Sequence, residues 1–174
     1  VDGVVGHPRS GVSDTTGSGT AVFDLLESAA GQDVEALRAV LCVSQAMLSA
    51  QHFEDALEVV AEQSLVALEA ASFSISRWER QRGVLRTLIN VGELGPGEQR
   101  WPQNEEYPLA DYRYVTDLLR QGRSYFSSIH DDDADPASLS FLRRLEKESQ
   151  LAVPVMYEGA MWGELWATGT RGRR

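Results

Sequence analysis

Apolar positions recur in two different rhythms along this chain, and the switches between them mark out its elements. Behind Asp33, Leu37, Val40, Leu41, Ser44, Met47 and Leu48 fall along one side at intervals of three or four, which predicts a helix over about 33–50 with Asp33 as its N-cap. Phe53, Leu57, Val60, Ala61, Ser64 and Leu68 repeat the arrangement and predict a second helix over about 53–70. The period then drops to two. In "SFSISRW" Phe73, Ile75 and Arg77 alternate with Ser72, Ser74, Ser76 and Trp78, and "GVLRTLINVG" (83–92) follows a polar turn, so 72–91 reads as an antiparallel hairpin.

Residues 93–107 are turn formers and acids with no period, a long loop of the kind that is frequently functional in a compact domain. "DYRYVTDLLRQGR" (111–123) predicts a helix stopped by Gly122, and "SYFSSI" a short strand. Asp135 then caps a helix whose first position is Pro136 and which is expected to run to about Glu148. "LAVPVMYEGAMWGELWATG" (151–169) closes the chain as a hairpin turning at Glu158-Gly159. In a regular strand Trp162 and Trp166 share one face, with Gly163, Leu165 and Ala167 on the other. Pro154 fits only where its missing N–H costs no ladder bond, at a strand start or a bulge. Gly163 invites a close approach to its backbone.

Composition adds exclusions. The chain has 174 residues, 43% of them hydrophobic, enough for one core. No stretch nears the ~20 apolar residues of a membrane span, and no basic segment leads an apolar run at the N-terminus, so a cytoplasmic protein with no membrane partner is expected. A formal charge of -10, with Lys and Arg interleaved among acids, disfavours nucleic acid. Cys42 is the sole cysteine, which excludes an internal disulfide and a multi-cysteine zinc site. Asp131, Asp133 and Asp135 take the first, third and fifth places of a calcium loop, but Pro136 stands where the turn needs Gly and Leu142 where a bidentate carboxylate belongs. There is no Gly-rich phosphate loop and no nucleophile elbow, and His7, His52 and His130 have no positioned nucleophile beside them. The chain therefore reads as a non-enzyme, and it names no cofactor.

The element order, the Val153-Pro154 strand and the Trp162-Gly163-Glu164-Leu165 strand centre together resemble a GAF domain. The resemblance covers about 33–169, with the final hairpin its most specific part and the capped "DDDADP" helix next. It implies an α+β fold: a central antiparallel sheet of about six strands, N-terminal helices on one face, and loops and short helices on the other. It also divides the chain into a tail (1–20), a short helical linker (21–32), the GAF-like domain (33–170) without its usual C-terminal helix, and the start of a linker (171–174). A PAS-like fold is the runner-up, though PAS domains do not usually open with two long amphipathic helices. None of the sulfoxide-reducing, bilin-attaching or cyclic-nucleotide signatures of the family is present.

The resemblance implies a bacterial signalling sensor: an unidentified small molecule binds a cavity on one sheet face, and terminal helices pass the signal to an effector domain downstream. Candidate lining residues are Phe73, Ile75, Tyr107, Leu109, Tyr112, Tyr114, Phe126, Val153, Val155, Trp162 and Trp166, with Arg77, Arg86 and Arg113 as anchors for an acidic ligand. A homodimer through the N-terminal helices is expected. The alternatives are a ligand-free dimerisation module and a haem or chromophore sensor, with His130 as the candidate haem ligand.

Overall fold

The computed structural model describes residues 52–170 together with Val34, Val40, Leu41, Ser44 and Gln45. Those five positions are helical, and Ser44 Oγ donates to the Val40 carbonyl. The expected tail (1–20), the helix expected over 21–32, the remaining positions of the helix expected over 33–50, Cys42 and 171–174 lie outside the described residues. By its contacts the chain divides after Leu37, and of the described residues all but Val34 belong to the second unit.

Within that unit the elements run α1 (Phe53–Ala67), β1 (Ser72–Glu79), β2 (Val84–Gly92), β3 (Glu106–Pro108), a 3-10 turn (Leu109–Tyr112), α2 (Arg113–Arg120), β4 (Tyr125–Ser128), α3 (Pro136–Arg144), β5 (Ser149–Tyr157) and β6 (Ala160–Gly169). The six strands form one antiparallel sheet in the order β3-β2-β1-β6-β5-β4. This is the α+β architecture that the GAF resemblance implies. The three-residue β3 emerges from the end of the expected loop, too short to carry a period of its own.

Each face of the sheet has its own core. Under α1, the wholly buried Ala61 lies against Phe73, Ile75, Ile89, Val91 and Ala167. On the other face Leu109 of the 3-10 turn, Leu119 of α2 and Leu142 of α3 gather with Leu85 and Trp166 of the sheet. The alternating sequence of β1 serves both sides: its Phe and Ile meet the helix, and its serines turn the other way.

All three helices end alike. In α2 the amides of Gly122 and Arg123 return to the Leu119 and Leu118 carbonyls, each at 3.0 Å, with Gly122 at φ 75°, as its composition predicts. α1 and α3 close with the same paired bonds but place Glu69 (φ 49°) and Glu146 (φ 57°) at the left-handed position. Both helices are consequently shorter than their periodicity implies, α1 ending at Ala67 rather than near 70 and α3 at Arg144 rather than near 148. The apolar period continues past these ends because the turning residues are themselves buried parts of the core, Ala70 and Leu145 among them.

The final hairpin departs from regularity once. Val155 pairs with Gly163 but Met156 pairs with Met161, so Trp162 is an extra residue in β6 and is rotated off the face it would share with Trp166. Pro154 sits inside β5 beside this bulge, beyond Ala152, the last β5 residue that β4 covers. An outward-facing N–H there would have no ladder partner to lose. Gly163 is required by backbone: a Cβ on it would lie 2.1 Å from the Ser76 carbonyl oxygen.

Candidate functional site

Small side chains at the centre of the sheet leave room above it. Ser74 and Ser76 of β1, Leu85 and Thr87 of β2, Gln150 and Ala152 of β5, and Glu164 and Trp166 of β6 form a floor. Glu105, Tyr107, Leu109 and Tyr112 close it from one side, and Val115, Thr116, Leu119, Ser138 and Phe141 from above. The cavity, partly open to solvent, has a volume of about 60 Å³. The aromatic part of the wall centres on Phe141, whose ring lies 5.0 Å from Tyr107, 5.4 Å from Tyr112 and 5.1 Å from Trp166.

Most polar groups here are satisfied laterally, as burial requires. Ser74 Oγ donates to Asn90 Oδ1 at 2.5 Å, and Asn90 Nδ2 donates to Glu105 Oε2 and to the Gln99 carbonyl, both at 2.9 Å. Tyr107 OH donates to the second Glu105 oxygen at 3.0 Å. Burial, and then the Glu105 charge, push the Tyr107 hydroxyl well above its ordinary pKa. Trp166 Nε1 donates to Gln150 Oε1 at 2.9 Å, and Gln150 Nε2 to Ser127 Oγ at 3.0 Å. Glu164 is different. Its carboxylate has no hydrogen bond or ion pair among the described residues, and desolvation alone raises its pKa from 4.5 to about 7.

The loop between β2 and β3 is pinned to the body of the domain. Lys147 and Glu98 form an ion pair at 3.6 Å with both side chains 2% exposed, and Lys147 Nζ also donates to the Glu93 carbonyl. Arg100 bridges from the loop to Glu58 and Glu62 of α1. Asn90 N–H donates to the Arg100 carbonyl at 2.9 Å.

Of the residues expected to line a cavity, Tyr107, Leu109, Tyr112 and Trp166 do so. Phe73 and Ile75 lie on the opposite face beneath α1, because apolar side chains pack under an apolar helix and leave the serines to the cavity. Val153 and Val155, paired with Leu165 and Gly163, share that face. The bulge carries Trp162 into a separate depression bordered by Arg77, Trp78, Arg80 and Tyr157. Tyr114 and Phe126 are exposed and border an open hollow beside His130 and Asp131. The arginines are elsewhere too. Arg77 reaches Glu79 at 3.0 Å, Arg86 lies 3.7 Å from Glu79 and donates to the Gln103 carbonyl, and Arg113 is exposed on α2. The cavity's charged groups are acids, the reverse of the expected anionic-ligand site.

Asp135 accepts from Ser138 N–H at 2.9 Å and Asp131 from Ser128 N–H at 2.7 Å, the cap and turn roles that the failed calcium pattern leaves them. No cluster with metal-ligand geometry occurs among the described residues, and none of their helices is long and apolar enough to cross a membrane. Glu98, Lys147, Asn90, Gln150 and Glu164 escaped the sequence reading. One signal was present: a carboxylate between Gly163 and Leu165 in the centre of an otherwise apolar strand, which the structure holds half-buried.

No family model and no curated protein matches the chain. Solved structures do. The GAF domain from Acinetobacter phosphoenolpyruvate-protein phosphotransferase superposes with a TM-score of 0.58 at 18% identity, over 77% of this chain and 76% of that one. The phycoerythrobilin-bound GAF domain from a cyanobacterial phytochrome gives 0.65 at 11% identity, over 82% and 85%. The chromophore-binding domain of Stigmatella aurantiaca phytochrome P1 gives 0.63 at 14%, over 79% and 52%. The chain thus spans about half the length of the bacteriophytochrome chains it matches.

Proposed function

The chain carries the GAF-domain fold, and from that premise we propose that it is a non-catalytic sensor module whose cavity takes a small molecule and whose flanking 93–105 loop reports the occupancy. The observation that carries this reading is a cavity at the sheet centre with an unpartnered carboxylate facing it. Polar groups withdrawn from bulk water are ordinarily satisfied, and a half-buried carboxylate with no protein partner that lines a cavity is a place for a donor to complete the set.

Size and chemistry narrow the ligand. About 60 Å³ is several-fold below the ~300–1,000 Å³ of pockets that bury drug-sized molecules. An open-chain bilin such as the cyanobacterial domain holds, or a haem, does not fit it. A ligand acts only through different affinities for two states. Here the second state is a displaced 93–105 loop, which touches the cavity through Glu105 and α1 through Arg100. In this reading α1 carries the change to an effector, as a homodimer. Phe53, Val66 and Leu68, exposed apolar residues of α1 and its C-terminal cap, support such pairing.

The ligand-free interaction module is the second reading, favoured by the same small volume, much of whose wall is the Trp166 and Phe141 rings. Native mass spectrometry of freshly purified protein, followed by hydrogen exchange with and without the molecule found, separates the two. The sensor reading requires a bound mass and slower exchange over 93–107; unchanged exchange there in saturating ligand refutes it.

A further inference from the structure

We propose that the cavity recognises a compact primary ammonium group, with Glu164 as its counter-ion; this rests on the ligand-binding reading above and narrows its chemistry. Thr87, Ser76 and Glu164 are consecutive cross-strand partners on β2, β1 and β6, so their side chains stand in a row on the cavity face, neighbours about 5 Å apart. The two hydroxyls are 3.4 Å from each other, a long contact that leaves lone pairs free. The third member is the carboxylate without a partner. An alkylammonium carries three N–H donors and no acceptor, which matches a row of one anion and two hydroxyl oxygens.

The rest of the wall suits the same guest. Tyr107, Phe141 and Trp166 give the wall an aromatic character that tolerates a cation, and Leu85, Leu109 and Ala152 accept a short aliphatic stem. The titratable groups facing Glu164 across the cavity are Glu105, already bonded to Tyr107 and Asn90, together with Tyr107 and Tyr112. From α2, α3, β1, β2 and β5 the lining residues are uncharged. The nearby cation is Arg144, outside the lining, with Nη2 3.5 Å from Tyr112 OH and its guanidinium over the Phe141 ring at 5.1 Å. An anionic guest would meet two carboxylates and no basic lining residue.

The test titrates the whole chain with three compounds of one size, n-propylammonium, 1-propanol and propionate, followed by amide chemical shifts at pH about 8. The ammonium should bind roughly tenfold or more tightly than the alcohol, with propionate weakest, and Glu164→Gln should bring ammonium and alcohol within about twofold. A check that needs no variant is pH. Ammonium affinity should fall about tenfold between pH 8 and pH 6, where most Glu164 carboxyls, with a pKa of about 7, are protonated. Preference for the alcohol or for propionate overturns the ammonium assignment yet leaves a small-molecule site. A preference that survives Glu164→Gln, an affinity flat with pH, or no shifts with any of the three at tens of millimolar also overturns it, whereas the sensor reading is decided by the mass and exchange measurements.

Discussion

Replacing Glu164 by Gln should make the protein more stable in alkali and alter its pH dependence in a calculable way. Gln has nearly the volume of Glu, so the packing of Ser76, Trp166 and Pro154 around position 164 is preserved. The folded-state pKa is raised from 4.5 to about 7 by desolvation. Below pH about 4.5 the side chain is neutral in both folded and unfolded chains and exacts no ionisation cost. Between there and 7 the unfolded chain has lost its proton while the folded one keeps it, so wild-type stability falls by about 1.4 kcal/mol per pH unit. Above 7 both are ionised and the deficit levels off at about 3 kcal/mol, the 2.5-unit rise multiplied by that slope. The Gln side chain carries its own burial cost, but that cost does not change with pH. Urea denaturation of both proteins at intervals from pH 4.5 to 8.5 measures the quantity needed, the difference in unfolding free energy as pH rises. The expected difference grows by about 3 kcal/mol in favour of the variant; a difference flat with pH means that Glu164 is solvated in the fold and sinks the cavity argument with it.

Three further outcomes follow from the packing. Gly163→Ala forces a methyl to within 2.1 Å of the Ser76 carbonyl and should cost about 1–3 kcal/mol in thermal unfolding; a loss below ~0.5 kcal/mol would contradict the close approach. Lys147→Ala leaves the buried Glu98 carboxylate without its cation, with only the Gly95 N–H to accept from, and should cost about 3–5 kcal/mol, whereas replacing both partners by apolar residues should recover most of it; equal losses in single and double variants would refute the pairing. Glu146→Gly removes a left-handed strain of about 1–2 kcal/mol and adds unfolded-chain entropy of about 0.5–1, so a net gain of up to about 1.5 kcal/mol is expected in chemical denaturation, and a loss would count against the α3 end described.

Element types were legible because period is a local property. The strand at 72–79 and the helix at 53–67 could be read from spacing, as could the Asp135-Pro136 start and the Gly122 stop. Which face of a strand meets which layer is not local. Phe73 and Ile75 alternate with serines, but both faces of β1 are buried, and only the apolar side of α1 decides that the serines turn toward the cavity. Trp162 was misplaced by one inserted residue, since a bulge reverses a side chain without changing composition. The Glu98–Lys147 pair joins residues 49 apart in sequence, a separation at which charge pattern carries no information about contact. Glu69 and Glu146 hid the helix ends because a left-handed glutamate has no compositional mark, unlike glycine.

The tether at Glu93 has a mechanical side. Its backbone carbonyl takes the Lys147 ammonium, and its carboxylate accepts from the Thr170 hydroxyl at 2.9 Å. Thr170 is the residue with which the chain steps off β6. One residue therefore ties the start of the 93–105 loop both to Lys147, just after α3, and to the end of β6.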